Sequence, residues 1–293
     1  MLAGPPAGPL LTVVRAGPLT TVQDLGRPGH AHLGVPRSGA ADRPALRRAN
    51  RMAGNPEGAA GLETTLLGTT VRLAEARWVA VAGADAELSV DGEPVRSPVE
   101  VVAGVTVIVG RARRGLRSYL AVGGGIAVPA TLGSRSTDRL SGLGPAPLRD
   151  GDALPLGPPG DPGPPEGEPD LPAEPVLRLR LGPRDDWVAG TGPLGTGSYA
   201  VETDSDRVGL RLAGPALTRS RTGELPSEGL VPGAVQVPAD GRPVLFLADH
   251  PTTGGYPVVG VVHPDDLWLA AQARPGTRLR FRLVSGRTGS AVE

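Results

Sequence analysis

The chain has 293 residues, 39% of them apolar, with thirty basic and thirty acidic side chains, so it can bury a core but carries no charge excess to attract nucleic acid. It contains no Cys, which excludes thiolate nucleophiles, Cys-ligated zinc and disulfides. All thirty basic residues are Arg; without a Lys there is no Walker-A phosphate loop, no Schiff base and no biotin attachment site in this chain.

The opening residues, Met-Leu-Ala-Gly-Pro-Pro, lack the basic region and long apolar stretch of a signal peptide. No run reaches the roughly 18 apolar residues of a membrane helix. A soluble cytoplasmic protein without a membrane partner is expected. Short β-type runs then recur at Leu11–Arg15, Thr69–Leu73, Arg77–Ala82, Ala86–Val90, Val99–Val101, Val105–Val109 and Ser118–Val122. Gly, Pro or Asp bounds each, and Asp91-Gly92 is a hairpin turn signal. Asp42 as cap, Pro44 in the first turn, the apolar stripe Ala45, Leu46, Ala49 and Met52, and Gly54 as stop predict a helix over residues 42–53.

Residues 157–175, GPPGDPGPPEGEPDLPAEP, have almost nothing to bury and predict a stiff linker between residues 1–156 and 176–293. Beyond it the β pattern returns at Val176–Leu181, Tyr199–Thr203, Leu210–Leu212, Ala234–Val237, Val244–Ala248, Val258–Val262 and Arg278–Val284, with a helix expected over 264–273. Many short strands at this spacing predict a barrel or sandwich, twice.

Gln23, Asp24 and Arg27 combine an amide, a carboxylate and a guanidinium within five residues. They can bind a small polar substrate, Arg27 forking onto a carboxylate or phosphate, or they can brace a turn. Asp42 reads as an N-cap worth about 1 kcal/mol to its helix, and Ser38, just outside, as a ligand contact. Asn50, Asn55, Glu63 and Arg135 read as structural. Gly123-Gly124-Gly125 lacks the spacing of a dinucleotide fingerprint. In the second half Arg207, Glu228, Gln236, Thr252, Thr253 and Tyr256 fall on or beside strand ends, where ligand-binding polar groups gather. Asp240-Gly241 reads as a hairpin turn on local grounds. The four His residues (His30, His32, His250, His263) show no metal spacing, so no metal site is expected. No catalytic residue can be assigned; Asp24 and His250, beside the Thr pair, are the candidates.

Four segments carry a family resemblance: Thr20 to Gly68, containing TTVQDLGRPG and SGAADRPALRRAN; YLAVGGGIAVPATLGSRST over 119–137; SDRVGLRL over 205–212; and SEGLVPGAVQVPADGRPVLFLADHPTTGGYP over 227–257. In order and spacing they resemble the biotin-dependent-carboxyltransferase-like family that contains the C-type subunit of 5-oxoprolinase and the second-subunit-like part of allophanate and urea-degrading carboxylase systems. The resemblance implies a mainly β fold of two cyclophilin-like β-barrel domains with few short helices. It also implies an enzyme subunit, inactive alone, that helps an ATP-dependent 5-oxoprolinase turn 5-oxo-L-proline into L-glutamate together with B-like and A-like subunits. ATP, with Mg, is then used by the complex, and nothing is bound covalently to this chain. Two alternatives stay open: the carboxyltransferase component of a biotin-dependent urea or amide carboxylase, and a non-enzymatic partner that antagonises a kinase inhibitor. Val208 stands where the family commonly has Met, and Pro226 where an aliphatic residue is expected. For any of the amide chemistries the expected site is a groove lined by Arg, amide and hydroxyl side chains from both halves.

Overall fold

The computed structural model describes residues 10–221, 223 and 225–285. Strand β1 (Leu10–Arg15) is followed by β2 (Thr20–Gln23), helix α1 (Arg43–Met52), β3 (Gly61–Thr65), β4 (Thr70–Leu73) and β5 (Arg77–Asp85). Strands β6 (Leu88–Val90), β7 (Glu93–Val95), β8 (Val99–Val101), β9 (Thr106–Val109), β10 (Arg114–Val122) and β11 (Ala153–Pro155) complete the first half. The second half holds β12 (Val176–Leu181), α2 (Gly192–Thr196), β13 (Ser198–Val201), β14 (Gly209–Ala213), β15 (Glu228–Gly229) and β16 (Ala234–Gln236). It ends with β17 (Val244–Phe246), β18 (Thr253–Gly254), β19 (Val258–Val262), α3 (Leu267–Ala271) and β20 (Arg278–Val284). The mainly β fold with few short helices holds.

Two units share the chain. Unit 1 takes the described residues of Met1–Arg27 with Ser38–Asp138 and Gly142–Asp170; unit 2 takes Pro28–Arg37, Arg139–Ser141 and the described residues of Leu171–Glu293. In unit 1 a six-stranded sheet, β11-β1-β4-β9-β6-β7, faces a five-stranded sheet, β2-β3-β10-β5-β8. Leu11, Val13, Val71, Leu73, Val107 and Val109 from the first sheet meet Val22, Leu62, Val79, Leu120 and Val122 from the second in one core. The hairpin signal is realised: Asp91 and Gly92 both take positive φ between β6 and β7.

Strands β5 and β10 are buried on both faces because α1 covers the side away from that core. Ala45, Leu46, Ala49 and Met52 of the helix pack on Ala80, Ala82, Tyr119 and Ala121. Small Ala residues on the sheet let the helix come close, while Val79 and Val81 point the other way, as strand periodicity requires. The helix opens as expected, with the Asp42 carboxylate accepting from Ala45 N at 2.9 Å.

Residues 157–170 lie along unit 1 as a strap. Arg51 of α1 forks onto Glu166 with two contacts of 2.7 Å, and Arg48 pairs with Glu168. Glu168 also accepts from Gly83 N at 3.1 Å, and Arg114 approaches Asp170 at 3.5 Å. The backbone passes so near α1 that a Cβ on Gly54 would sit 2.4 Å from the Asp161 carbonyl.

Unit 2 is a closed barrel in the order β12-β19-β16-β17-β14-β13-β20. The parallel pairing of β12 with β20 closes it. Its core holds Leu177, Leu179, Tyr199, Leu210, Leu212, Val235, Leu245, Val259, Leu279 and Phe281. Strands β15 and β18 form a separate two-stranded ribbon, Glu228 opposite Gly254 and Gly229 opposite Thr253. Among the described residues no helix is long and apolar enough to cross a membrane.

Candidate functional site

In unit 1, Gln23, Asp24, Arg27 and Ser38 meet on one segment, Thr131–Thr137. The Thr137 carbonyl accepts from Gln23 Nε2 at 2.9 Å and from Ser38 Oγ at 3.2 Å. Arg27 donates from Nη2 to the Ser136 carbonyl and from Nε to the Thr131 carbonyl. Asp24 accepts from Ser134 Oγ at 2.6 Å, Arg135 N at 2.6 Å, Gly26 N at 2.8 Å and the Ser136 hydroxyl. With those donors in place Asp24 sits as a loop bracket, its oxygens occupied rather than open to a substrate proton. Gly144 packs behind the segment at φ +80°, where a Cβ would fall 2.0 Å from the Ser136 carbonyl.

This cluster is nearly dry: Gln23 and Ser38 are fully buried, Arg27 is 1% exposed and Thr137 2%. Yet Gln23 Oε1, Arg27 Nη1 and Thr137 Oγ1 are buried with no hydrogen-bond partner. Each unmet polar atom costs about 1–3 kcal/mol, more when charged. A ligand or an ordered water can satisfy such groups. An acceptor, a cationic donor and a hydroxyl are the complement of a small molecule carrying an N–H and an anionic oxygen.

A second buried set supports α1's entry. Tyr119 donates to Glu63 Oε2 at 2.7 Å and accepts from Asp42 N at 2.7 Å; Glu63 also accepts from Ala41 N at 3.1 Å. Arg117 lies 3.6 Å from Glu63. Burial, reinforced by the Glu63 and Asp42 charges, pushes the Tyr119 phenol well above its usual range. The remaining residues read as structural behave so. Asn50 donates to the carbonyls of Glu57 and Ala59, while Asn55 donates to the Val122 carbonyl and accepts from Gly124 N.

Unit 2 carries a cavity of about 330 Å³ whose walls include Val208, Val244 and Phe246, with Gln236, Tyr256, Asp206 and Arg211 as polar members. That volume lies at the low end of small-molecule sites. Gln236 is held by its Nε2 bond to the Tyr256 carbonyl at 3.0 Å, and a Cβ on Gly254 would sit 2.7 Å from Gln236 Nε2. Of the second-half candidates, Gln236 and Tyr256 therefore line the cavity. Arg207 does not: it is 1% exposed and forks onto Asp249 at 2.9 and 3.0 Å, while Asp249 also accepts from Arg139 N. Glu228 pairs with Arg184. Thr253 stands exposed on the β15–β18 ribbon, next to half-buried Thr252, whose carbonyl accepts from Leu230 N. His250 is 4% exposed; its Nδ1 lies 2.7 Å from the Pro251 carbonyl and so carries the proton. Asp240 caps its own turn through Arg242 N.

Asp206, Arg211, Val244 and Phe246 were not singled out from sequence. The alternation of GLRLA, which turns Arg211 outward between buried Leu210 and Leu212, was the available signal. Thr137 was not singled out from sequence either, and its unmet hydroxyl has no local sequence signature. The Gly123–Gly125 run forms no phosphate cradle, because Gly124 N donates to Asn55 and Gly125 N to the Val122 carbonyl. Among the described residues no three His, Asp or Glu side chains group so as to hold a metal ion.

Comparison with known proteins fixes the family. Residues 33–283 match the carboxyltransferase domain, subdomain A and B. The chain is 39% identical to the C-type subunit of 5-oxoprolinase from Escherichia coli (strain K12) over 93% of its own length and 90% of that protein's. It is 33% identical to urea amidolyase of Lachancea kluyveri over 93% of its length, but spans only 17% of that much longer enzyme. The crystal structure of TTHA0988 superposes with a TM-score of 0.87 at 38% identity, covering 96% of this chain and 56% of that one. The chain belongs to the family of the carboxyltransferase domain, subdomain A and B.

Proposed function

We propose that the chain is the C-type subunit of an ATP-dependent 5-oxoprolinase and helps convert 5-oxo-L-proline to L-glutamate with B-like and A-like partners. The observation that carries this reading is the match in extent: 93% of the chain aligns with 90% of a protein named as the C-type subunit of 5-oxoprolinase. The urea amidolyase relative is several times longer, and the Lys-free chain cannot carry biotin itself. A carboxyltransferase role would therefore need a separate carrier protein.

The lactam of 5-oxoproline is a resonance-stabilised amide in an unstrained ring, so opening it requires activation. ATP, used with Mg by the complex, supplies that activation by phosphorylating the amide oxygen. This chain's own groups supply grip and orientation. Gln23 Oε1 accepts the lactam N–H, Arg27 Nη1 donates to an anionic oxygen of the substrate, and Thr137 Oγ1 completes the set. The support is that these three atoms are buried and unpaired. Gln236 and Tyr256, on the unit-2 cavity, are candidate ligand contacts of that unit in their own right.

The test is reconstitution. Purified chain, A-like and B-like partners, 5-oxoproline and ATP should release glutamate, and omitting this chain should abolish release. Unchanged turnover without it would refute the assignment. Arg27→Lys keeps the charge but loses the fork, and should lower kcat/KM about 10- to 100-fold. Full activity in a variant with Arg27→Ala and Thr252→Ala would favour a purely non-enzymatic partner.

A further inference from the structure

We infer that the outer face of β12 and β20 is a docking surface for an acidic segment of a partner protein. It lies on strands other than β14, β16 and β17, which line the unit-2 cavity. The two strands pair in parallel with Val176 opposite Arg280, Arg178 opposite Arg282, and Arg180 opposite Val284. Leu177, Leu179, Leu279 and Phe281 fill the barrel. Strand periodicity therefore turns Arg178, Arg180, Arg278, Arg280 and Arg282 to the outside together.

Like charges directly opposite one another destabilise a sheet, and Arg178 with Arg282 is such a pair. Some of the charge is answered locally. Arg178 forks onto Asp266 at 2.7 and 2.9 Å with Asp265 at 3.8 Å, and Arg280 meets Glu174 at 3.1 Å. Arg278 donates to the Ser198 hydroxyl at 2.9 Å and to the Ser198 carbonyl at 3.5 Å, with no ion pair to a carboxylate among the described residues. The exposed side chains of Arg180 and Arg282 have no hydrogen bond or ion pair to any other described residue. Five guanidiniums thus face three carboxylates, two of which serve Arg178 and one Arg280, and the unpartnered forks of Arg180 and Arg282 stand on one face.

Their setting selects the occupant. Arg180 and Arg282 are diagonal neighbours across the β12–β20 pair, roughly 7–8 Å apart by the spacing of strands and residues. That matches alternate residues of an extended peptide, about 6.5–7 Å apart. Val261 and Val284 flank Arg180 on either side. A segment alternating acidic and apolar residues satisfies both features. A continuous phosphate backbone does not, because Asp265, Asp266 and Glu174 interrupt the patch, no aromatic ring projects from these strands' outer face to stack a base, and the chain's charges balance overall. A second copy would present the same positive face to itself.

The test uses the full chain and a fluorescent peptide of sequence Glu-Val-Glu-Val-Glu, read by anisotropy. Saturable binding is expected, weakening as salt rises from about 50 to about 300 mM. Removing the free forks with R180Q and R282Q together should weaken it about tenfold or more. Removing two exposed Arg elsewhere, R113Q with R211Q, should change it less than about twofold. Each single variant, R180Q or R282Q, should fold with unchanged circular dichroism and lose part of the affinity. Absent binding, equal loss in both double variants, or tighter binding of an oligonucleotide of equal charge would overturn the proposal. So would self-association of the chain that R180Q with R282Q abolishes.

Discussion

Asp24 and Tyr119 show how a buried polar side chain is held in place when its partners are counted. Asp24 has four donors, so Asp24→Ala would strand two hydroxyls and two backbone N–H groups and release Thr131–Thr137. Tyr119 joins Glu63 to the first turn of α1, and Tyr119→Phe deletes both bonds at once. A loss of about 1–3 kcal/mol is expected, read as a lower urea midpoint with an unchanged slope. The phenols also set an alkaline limit. Tyr119 and Tyr199 hold their protons in the fold beyond the unfolded value of 10.0, Tyr199 up to about 12 through burial. The stability linked to those protons is fully present below pH 10 and is lost as pH climbs through the raised folded values. Denaturant titrations between about pH 9 and 12 should show this fall, and Tyr119→Phe should flatten it. At this scale sequence was partly legible: Gln23, Arg27 and Ser38 stood out as candidate ligand contacts, with a turn brace as the open alternative around Asp24 and Arg27. That Arg207 is buried against Asp249 was not readable, because their partnership spans 42 positions of chain.

Elements were most legible where one face is wet. Strands β9, β12 and β20 alternate cleanly and matched their expected spans to within a residue. Strands β2 and β3 were missed because almost every residue is buried, between the core on one side and α1 or loops on the other, which erases the period of two. The Pro/Gly-rich stretch was expected as a spacer; its first fourteen residues instead lie on α1 and β5, held by arginines distant in sequence. Glu166 is held below its ordinary value by Arg51. Docking should therefore be intact above pH 4.5 and weaken as pH falls through that lowered value. Glu166→Gln with Glu168→Gln should raise hydrogen exchange across 157–170 at neutral pH while leaving β10 protected. Equal protection in the variant would show that packing, not charge, holds the strap. Gly144→Ala must force a left-handed residue into the Ser136 carbonyl, costing at least about 2 kcal/mol, and should lower the melting temperature.

Across the whole molecule, composition excluded more than it specified. The absence of Lys and Cys removed several enzyme classes outright, and the order of four motif segments pointed to the family that the comparisons then established. What no composition could supply is that Gln23, Arg27 and Thr137 each keep a buried polar atom unmet around one segment, since satisfaction is a property of neighbours rather than residue type. The most direct measurement is a crystal structure of the reconstituted complex with 5-oxoproline bound. The account predicts the lactam nitrogen at Gln23 Oε1 and an anionic oxygen at Arg27 Nη1. Ordered water alone at those atoms, with the substrate bound at another place, would contradict it.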